Sequence, residues 1–142
     1  MIKLLNKVTI ALAVVAFMGS ANAKTLKVET HFTASSPNGE VAAQFAKNVE
    51  SFSGGSLKIQ MFYSSSVSGK SAEVFNSAQT GIIDCDMTGA GYQTGKNAAF
   101  QFAGDVMGGY DTPYQQYDFL KFKGAQKAVD NLYNKYGMTL IG

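Results

Sequence analysis

Near the amino terminus the apolar positions gather into one run, Val8 to Met18, interrupted only by Thr9. Lys3 and Lys7 precede it, and Ala21-Asn22-Ala23 follows it just before Lys24. A positive start, an apolar middle and a small-residue A-x-A cleavage site are the three parts of a secretory signal peptide, here residues 1–23. The run is 11 residues long, short of the roughly 18 needed to span a bilayer, so no permanent anchor is expected. The pattern then changes period. Thr25 to Thr30 alternates, with Leu26 and Val28 against Lys27 and Glu29, and predicts a strand. Ser35-Ser36-Pro37-Asn38-Gly39 is a loop with helix-start chemistry. Val41, Ala42, Phe45, Ala46, Val49 and Phe52 then recur at helical spacing until Ser53-Gly54-Gly55. Leu57 to Tyr63 alternates again. A Ser/Gly loop from Ser64 to Gly69 leads to a predicted helix from Ser71 to Thr80, closed by Gly81, and Ile82 to Thr88 predicts a third strand.

Such a β-α-β-α-β order predicts an α/β fold with a mainly parallel sheet flanked by helices. Beyond Thr88 the periodicity loosens. Gly89 to Gly95 is a predicted loop, Asn97 to Ala103 a short helix, and Gly104 to Pro113 irregular. Tyr114 to Phe122 and Gly124 to Tyr136 are predicted helices, and Met138 to Ile141 the start of a strand.

Composition narrows the partners. Removing residues 1–23 leaves 119 residues, enough for one domain with a core. Loss of Lys3 and Lys7 takes the formal net charge from +2 to 0, so no electrostatic case exists for nucleic acid or anionic membrane. The single cysteine, Cys85, makes no internal disulfide and lies far from the cleavage site, where a lipid anchor would attach. Every basic residue is lysine. Arginine, the side chain best suited to gripping a carboxylate through two parallel hydrogen bonds, is absent.

The candidate chemistry is sparse. Gly69-Lys70-Ser71 stands between a strand and a helix, the context of a phosphate loop. Ser64 occupies the place of that motif's first glycine, however, and export removes the chain from ATP, so no nucleotide is expected. Two readings remain for Lys70 and Ser71: a solvated helix start, or a helix N-terminus whose free N–H groups hold a small anion. His31, alone at the end of the first strand, makes no metal site, and no cofactor is expected. It still lies where open α/β sheets bind ligands, at a strand's carboxyl end. Asp84 and Asp86 share a strand face and are read as capping or pairing locally rather than as an acid/base pair. No Gly-x-Ser-x-Gly elbow is present, so the chain is expected not to be an enzyme. Most of the aromatic stretch that includes Phe100, Phe102, Tyr110, Tyr114 and Tyr117 is read as packing. Tyr92, four residues past the third strand in a Gly-rich loop, is placed to face a ligand.

The order of these parts resembles the DctP-type solute-binding proteins of TRAP (tripartite ATP-independent periplasmic) transporters. The resemblance rests on Leu26-Lys27-Val28-Glu29-Thr30, on Ala42-Ala43-Gln44-Phe45-Ala46-Lys47-Asn48-Val49, on Ser53-Gly54-Gly55-Ser56-Leu57-Lys58-Ile59 and on Gly81-Ile82-Ile83-Asp84-Cys85-Asp86-Met87. Tyr92-Gln93-Thr94-Gly95-Lys96 resembles the Tyr-x-x-Gly-Lys stretch of the branch that binds 2-oxo acids and related carboxylates. The resemblance implies a periplasmic-binding-protein-like clamshell that captures a small organic acid for a sodium-gradient-driven membrane permease. It implies a periplasmic location, and it makes residues 24–142 a truncated N-terminal lobe. The family's carboxylate-clamping arginine then belongs to sequence beyond Gly142. Carried over position by position, the ligand-binding residues are His31, Phe32, Lys70, Ser71, Thr88 and Tyr92, acting by hydrogen bonding and ring packing. The alternative is a free-standing exported interaction domain, dimeric through the face a second lobe would cover.

Overall fold

A computed structural model describes residues 23–104, 106 and 108–141. The expected signal peptide lies outside the described residues, apart from Ala23. Strand β1 (Lys24–Thr30) is the centre of a three-stranded parallel sheet, with β2 (Leu57–Phe62) on one side and β3 (Cys85–Met87) on the other. The register pairs Lys24 with Leu57 through Glu29 with Phe62, and Val28 with Cys85 through Thr30 with Met87. The expected α/β class with a parallel sheet is what forms.

Helix α1 (Pro37–Phe52) connects β1 to β2. The Ser36 hydroxyl accepts from the Gly39 N–H at 3.1 Å, and Pro37 fixes the first turn. Gly54 (φ +59°) and Gly55 (φ +80°) stop the helix in the left-handed conformation, where the Gly55 N–H reaches the Glu50 carbonyl at 2.8 Å. The predicted helix from Ser71 to Thr80 is instead a 3-10 turn, Ser71–Glu73, running into a six-residue helix α2 (Val74–Gln79).

The third strand is shorter than its apolar pattern predicts, and hydrogen bonding explains why. The Ile82 and Ile83 N–H groups both donate to the Ser77 carbonyl and so cap α2. Asp84 then occupies both backbone groups of Lys27. Its N–H donates to the Lys27 carbonyl at 2.9 Å, and its carboxylate accepts the Lys27 N–H at 2.8 Å. Ladder pairing therefore starts only at Cys85.

Two more 3-10 turns follow. Ala90–Gln93 lies within the predicted loop, and Ala98–Phe102 stands in place of the predicted short helix. Helices α3 (Pro113–Phe122) and α4 (Ala125–Asn134) come next, with Gly124 (φ +88°) turning the chain between them. The strand expected at Met138 is not formed. The Met138 N–H caps α4 on the Tyr133 carbonyl, and its side chain packs on the core instead. That core joins Phe75, Ala90, Phe100 and Leu132. Phe100 meets Tyr133 edge-on at 5.2 Å between ring centroids and Phe75 at 5.8 Å.

Candidate functional site

Strand order β2-β1-β3 sends the chain to one side of β1 and then to the other. With right-handed crossovers, which place α1 and α2 on opposite faces, the carboxyl ends of β1 and β3 are the switch point at which a sheet of this order offers a ligand crevice. His31 and Phe32 follow β1 directly, and Thr88 follows β3. Tyr92 is carried back toward them by the Ala90–Gln93 turn. Its ring lies 5.1 Å from that of His31 at 69°, and His31 and Phe32 are 3.9 Å apart. Three rings thus line one rim of the crevice, with Tyr92 46% exposed.

Burial pushes the His31 pKa below its usual 6.5, so the imidazole is neutral at pH 7. Its Nδ1 is buried without a partner. A neutral imidazole, a phenol and a phenyl ring offer flat apolar contact and individual hydrogen bonds, but no positive charge.

The loop after β2 packs against the same end of β1. The Ser64 and Ser65 N–H groups donate to the carbonyls of Phe32 and Thr30, binding the loop to the end of β1. Both serines are left-handed, at φ +58° and +51°, a strained conformation for residues with a Cβ. Ser65 is 5% exposed, and its hydroxyl has no partner. The Val67 and Ser68 N–H groups both donate to one oxygen of the fully buried Glu29, at 2.6 and 3.2 Å. The Ser68 hydroxyl donates to the other oxygen and lies 2.7 Å from the Ser77 hydroxyl.

This arrangement leaves no free N–H in the loop that precedes Lys70 and Ser71. Every N–H from Ser64 to Gly69 already has an acceptor within the chain, the Glu29 carboxyl taking two of them. The helix behind is only six residues long. Lys70 is exposed and Ser71 half-buried. The turn they lead into is tied to the Tyr92 turn by a 3.2 Å hydrogen bond from the Gln93 amide to the Ala72 carbonyl. The structure therefore brings His31, Phe32 and Tyr92 into ring contact, sets Thr88 at the adjoining strand end, and leaves Lys70 and Ser71 on the neighbouring rim.

Sequence reasoning missed Glu29 and Ser65. An open apolar hollow of about 330 Å³ lies elsewhere, between α3, α4 and the Ala98–Phe102 turn. Phe102, Val106, Phe119, Leu120 and Val129 help to line it. Of its lining side chains only Tyr110 and Gln116 are polar, so the chemistry favours the switch-point crevice over this hollow.

Comparison with known proteins adds an independent line. The sequence model of the DctP family, bacterial extracellular solute-binding protein, family 7, matches residues 28–141. No curated protein matches the chain. Among solved structures, a TRAP periplasmic solute-binding protein of Rhodobacter sphaeroides in an apo open form is 26% identical. It superposes with a TM-score of 0.78 over 84% of this chain and 38% of its own. A TRAP protein of Pseudoalteromonas atlantica with bound sodium and pyruvate is 20% identical, with a TM-score of 0.75 over 82% of this chain and 35% of its own. A Bordetella pertussis extracytoplasmic solute receptor binding pyroglutamic acid is 22% identical, with a TM-score of 0.68 over 83% and 38%. The chain thus spans little more than a third of the length of these relatives.

Proposed function

Since the chain belongs to family 7 of the bacterial extracellular solute-binding proteins, the DctP family, whose members are receptors rather than enzymes, we propose that it forms the amino-terminal lobe of a periplasmic TRAP receptor. Its ligand is a small organic acid, handed to a sodium-driven permease. The observation that carries this reading is the coincidence of the family match with the ring-lined crevice at the β1/β3 switch point. There His31, Phe32, Thr88 and Tyr92 meet a solute by ring packing and hydrogen bonds, with Lys70 and Ser71 at the edge.

The absence of positive charge among the rings assigns a division of labour. This lobe holds the solute's carbon skeleton and neutral polar groups, and the carboxylate is gripped from the facing lobe. Relatives of this fold bind pyruvate and pyroglutamic acid, acids with a keto or lactam group beside the carboxylate, which suits such a division.

The test is calorimetric titration of the protein purified from its native periplasm with pyruvate, pyroglutamate and picolinate, each with and without sodium and calcium. At least one acid is expected to bind. Tyr92→Ala is expected to weaken that binding about tenfold, the equivalent of one lost hydrogen bond and ring contact. Undiminished binding by Tyr92→Ala would remove the crevice from the reading, and no binding of any acid would remove the ligand class.

A further inference from the structure

The ring of Tyr92 reaches His31 from a turn whose own bonds do not fix where it sits. We propose that Gln93 is a positioning residue, whose side-chain amide ties the Ala90–Gln93 turn to the Ser71–Glu73 turn and so holds the Tyr92 ring against His31. The placement of the ring belongs to this lobe alone, while its effect on affinity rests on the solute reading above.

Short-range hydrogen bonds shape the Tyr92 turn. The Tyr92 N–H donates to the Gly89 carbonyl at 3.2 Å, and the Thr94 N–H to that of Gly91 at 3.4 Å. The Gln93 carbonyl accepts the N–H groups of Lys96 and Asn97 at 2.9 and 3.2 Å. Bonds of this span close a turn without setting its place on the rest of the molecule. Two side chains of the turn do that instead. Ala90 is buried in the core with Phe75 and Phe100. Gln93 is only 2% exposed, and its Nε2 donates at 3.2 Å to the carbonyl of Ala72, 21 residues earlier. A carbonyl only accepts, so the amide nitrogen is the atom that faces it.

The two anchors flank the ring, Ala90 before Tyr92 and Gln93 directly after it. A methyl contact at Ala90 leaves the turn free to pivot, and the directional bond at Gln93 removes that freedom. Tyr92 adds little restraint of its own, being half exposed and edge-on to His31 at 5.1 Å between centroids. The far end of the bond is firm. The Ser71–Glu73 turn runs into α2, where Val74 and Phe75 are buried. Ala72 itself is exposed, so its carbonyl returns to water when the amide is removed, and no buried acceptor is left unpaired there. Methionine is unbranched and flexible like glutamine but carries no amide, so Gln93→Met removes the donor and keeps the packing.

The experiment uses His31 as the reporter. It is the only histidine of the chain, so in untagged protein its Hε1 and Hδ2 protons give isolated resonances. A neighbouring aromatic ring displaces them by its ring current, and Tyr92→Ala measures the share that Tyr92 supplies. Both resonances are recorded in wild type, Tyr92→Ala and Gln93→Met at about pH 8, above the ordinary histidine range. Gln93→Met is expected to move them most of the way to their Tyr92→Ala positions, with a urea midpoint close to that of wild type. Resonances that keep their wild-type positions in folded Gln93→Met would overturn the proposal. The wild type gives a second reading that needs no variant. The Gln93 side-chain N–H bonded to Ala72 is expected to exchange slowly with solvent, and rapid exchange would equally overturn it.

With an acid that the wild type binds, Gln93→Met is expected to weaken binding severalfold. Gln93→Met combined with Tyr92→Ala should then bind no more weakly than Tyr92→Ala alone. Losses that simply add would overturn the positioning role. A wild type that binds no acid removes the solute reading, and the His31 resonances still decide whether Gln93 holds the ring.

Discussion

A Cβ on Gly39 would lie 2.0 Å from the Thr33 carbonyl oxygen and 2.9 Å from that of Ala34. Neither obstacle is a flexible side chain, so the first turn of α1 would have to lift away from the loop behind β1. Gly39→Ala is therefore expected to destabilise the fold by about 2 kcal/mol, in the range of overpacked interiors, read as a lower urea midpoint. Phe75 illustrates the reverse error, too little volume. It is 1% exposed and in ring contact with Phe100, Tyr133 and Tyr136. Its truncation to alanine removes one wall of the only cluster joining α2 to α4 among the described residues. A loss of about 3–5 kcal/mol is expected, with a collapse of near-ultraviolet circular dichroism at moderate urea as the check. Tyr92, 46% exposed, is the contrasting case. Its substitution should leave stability nearly unchanged and act on binding alone.

At the scale of elements, α1 depends on its start more than on its buried surface. Only Gly39 and Ala42 of its residues are buried, while Val41 and Phe52 are 68% and 86% exposed. Ser36→Ala, which deletes the cap on the Gly39 N–H, is expected to cost about 1 kcal/mol, measurable as a thermal shift. The periods in the sequence were sufficient for β1, α1 and β2, because each carries a full repeat bounded by turn residues. They overran at β3, since apolar Ile82 and Ile83 use their N–H groups on the end of α2, a bond no hydropathy pattern encodes. They failed at Glu29 for a different reason. Alternation with Leu26 and Val28 marks it as an outward polar position, yet a parallel sheet is covered on both faces and has no outward side. The approach of Tyr92 to His31 was legible because both follow strand carboxyl ends, which a parallel sheet brings to one edge. Ser65 was not, because its role arises from a left-handed backbone imposed by the hydrogen bond from its N–H to Thr30.

At the scale of the molecule, apolar surface lies open on several elements. Phe52 on α1 is uncovered, as are Tyr114 (84%), Tyr117 (56%) and Phe122 (71%) on α3. Residues 24–142 expressed alone are expected to self-associate as concentration rises, by contacts that added salt does not weaken. Sedimentation velocity at two ionic strengths checks this, and a salt-sensitive or strictly monomeric species would contradict it. The central position of β1 has a further consequence, one of timing. It is the first strand among the described residues, yet both of its neighbours come later, the second only at Cys85–Met87. No sheet can close until that last segment is free to pair, and pairing across such separations is slow. A nascent chain with this topology can pair β1 with β2 but cannot complete its sheet before Cys85–Met87 has emerged. The strand order that sets the switch point in the folded lobe thus also makes the last strand the one that closes the sheet.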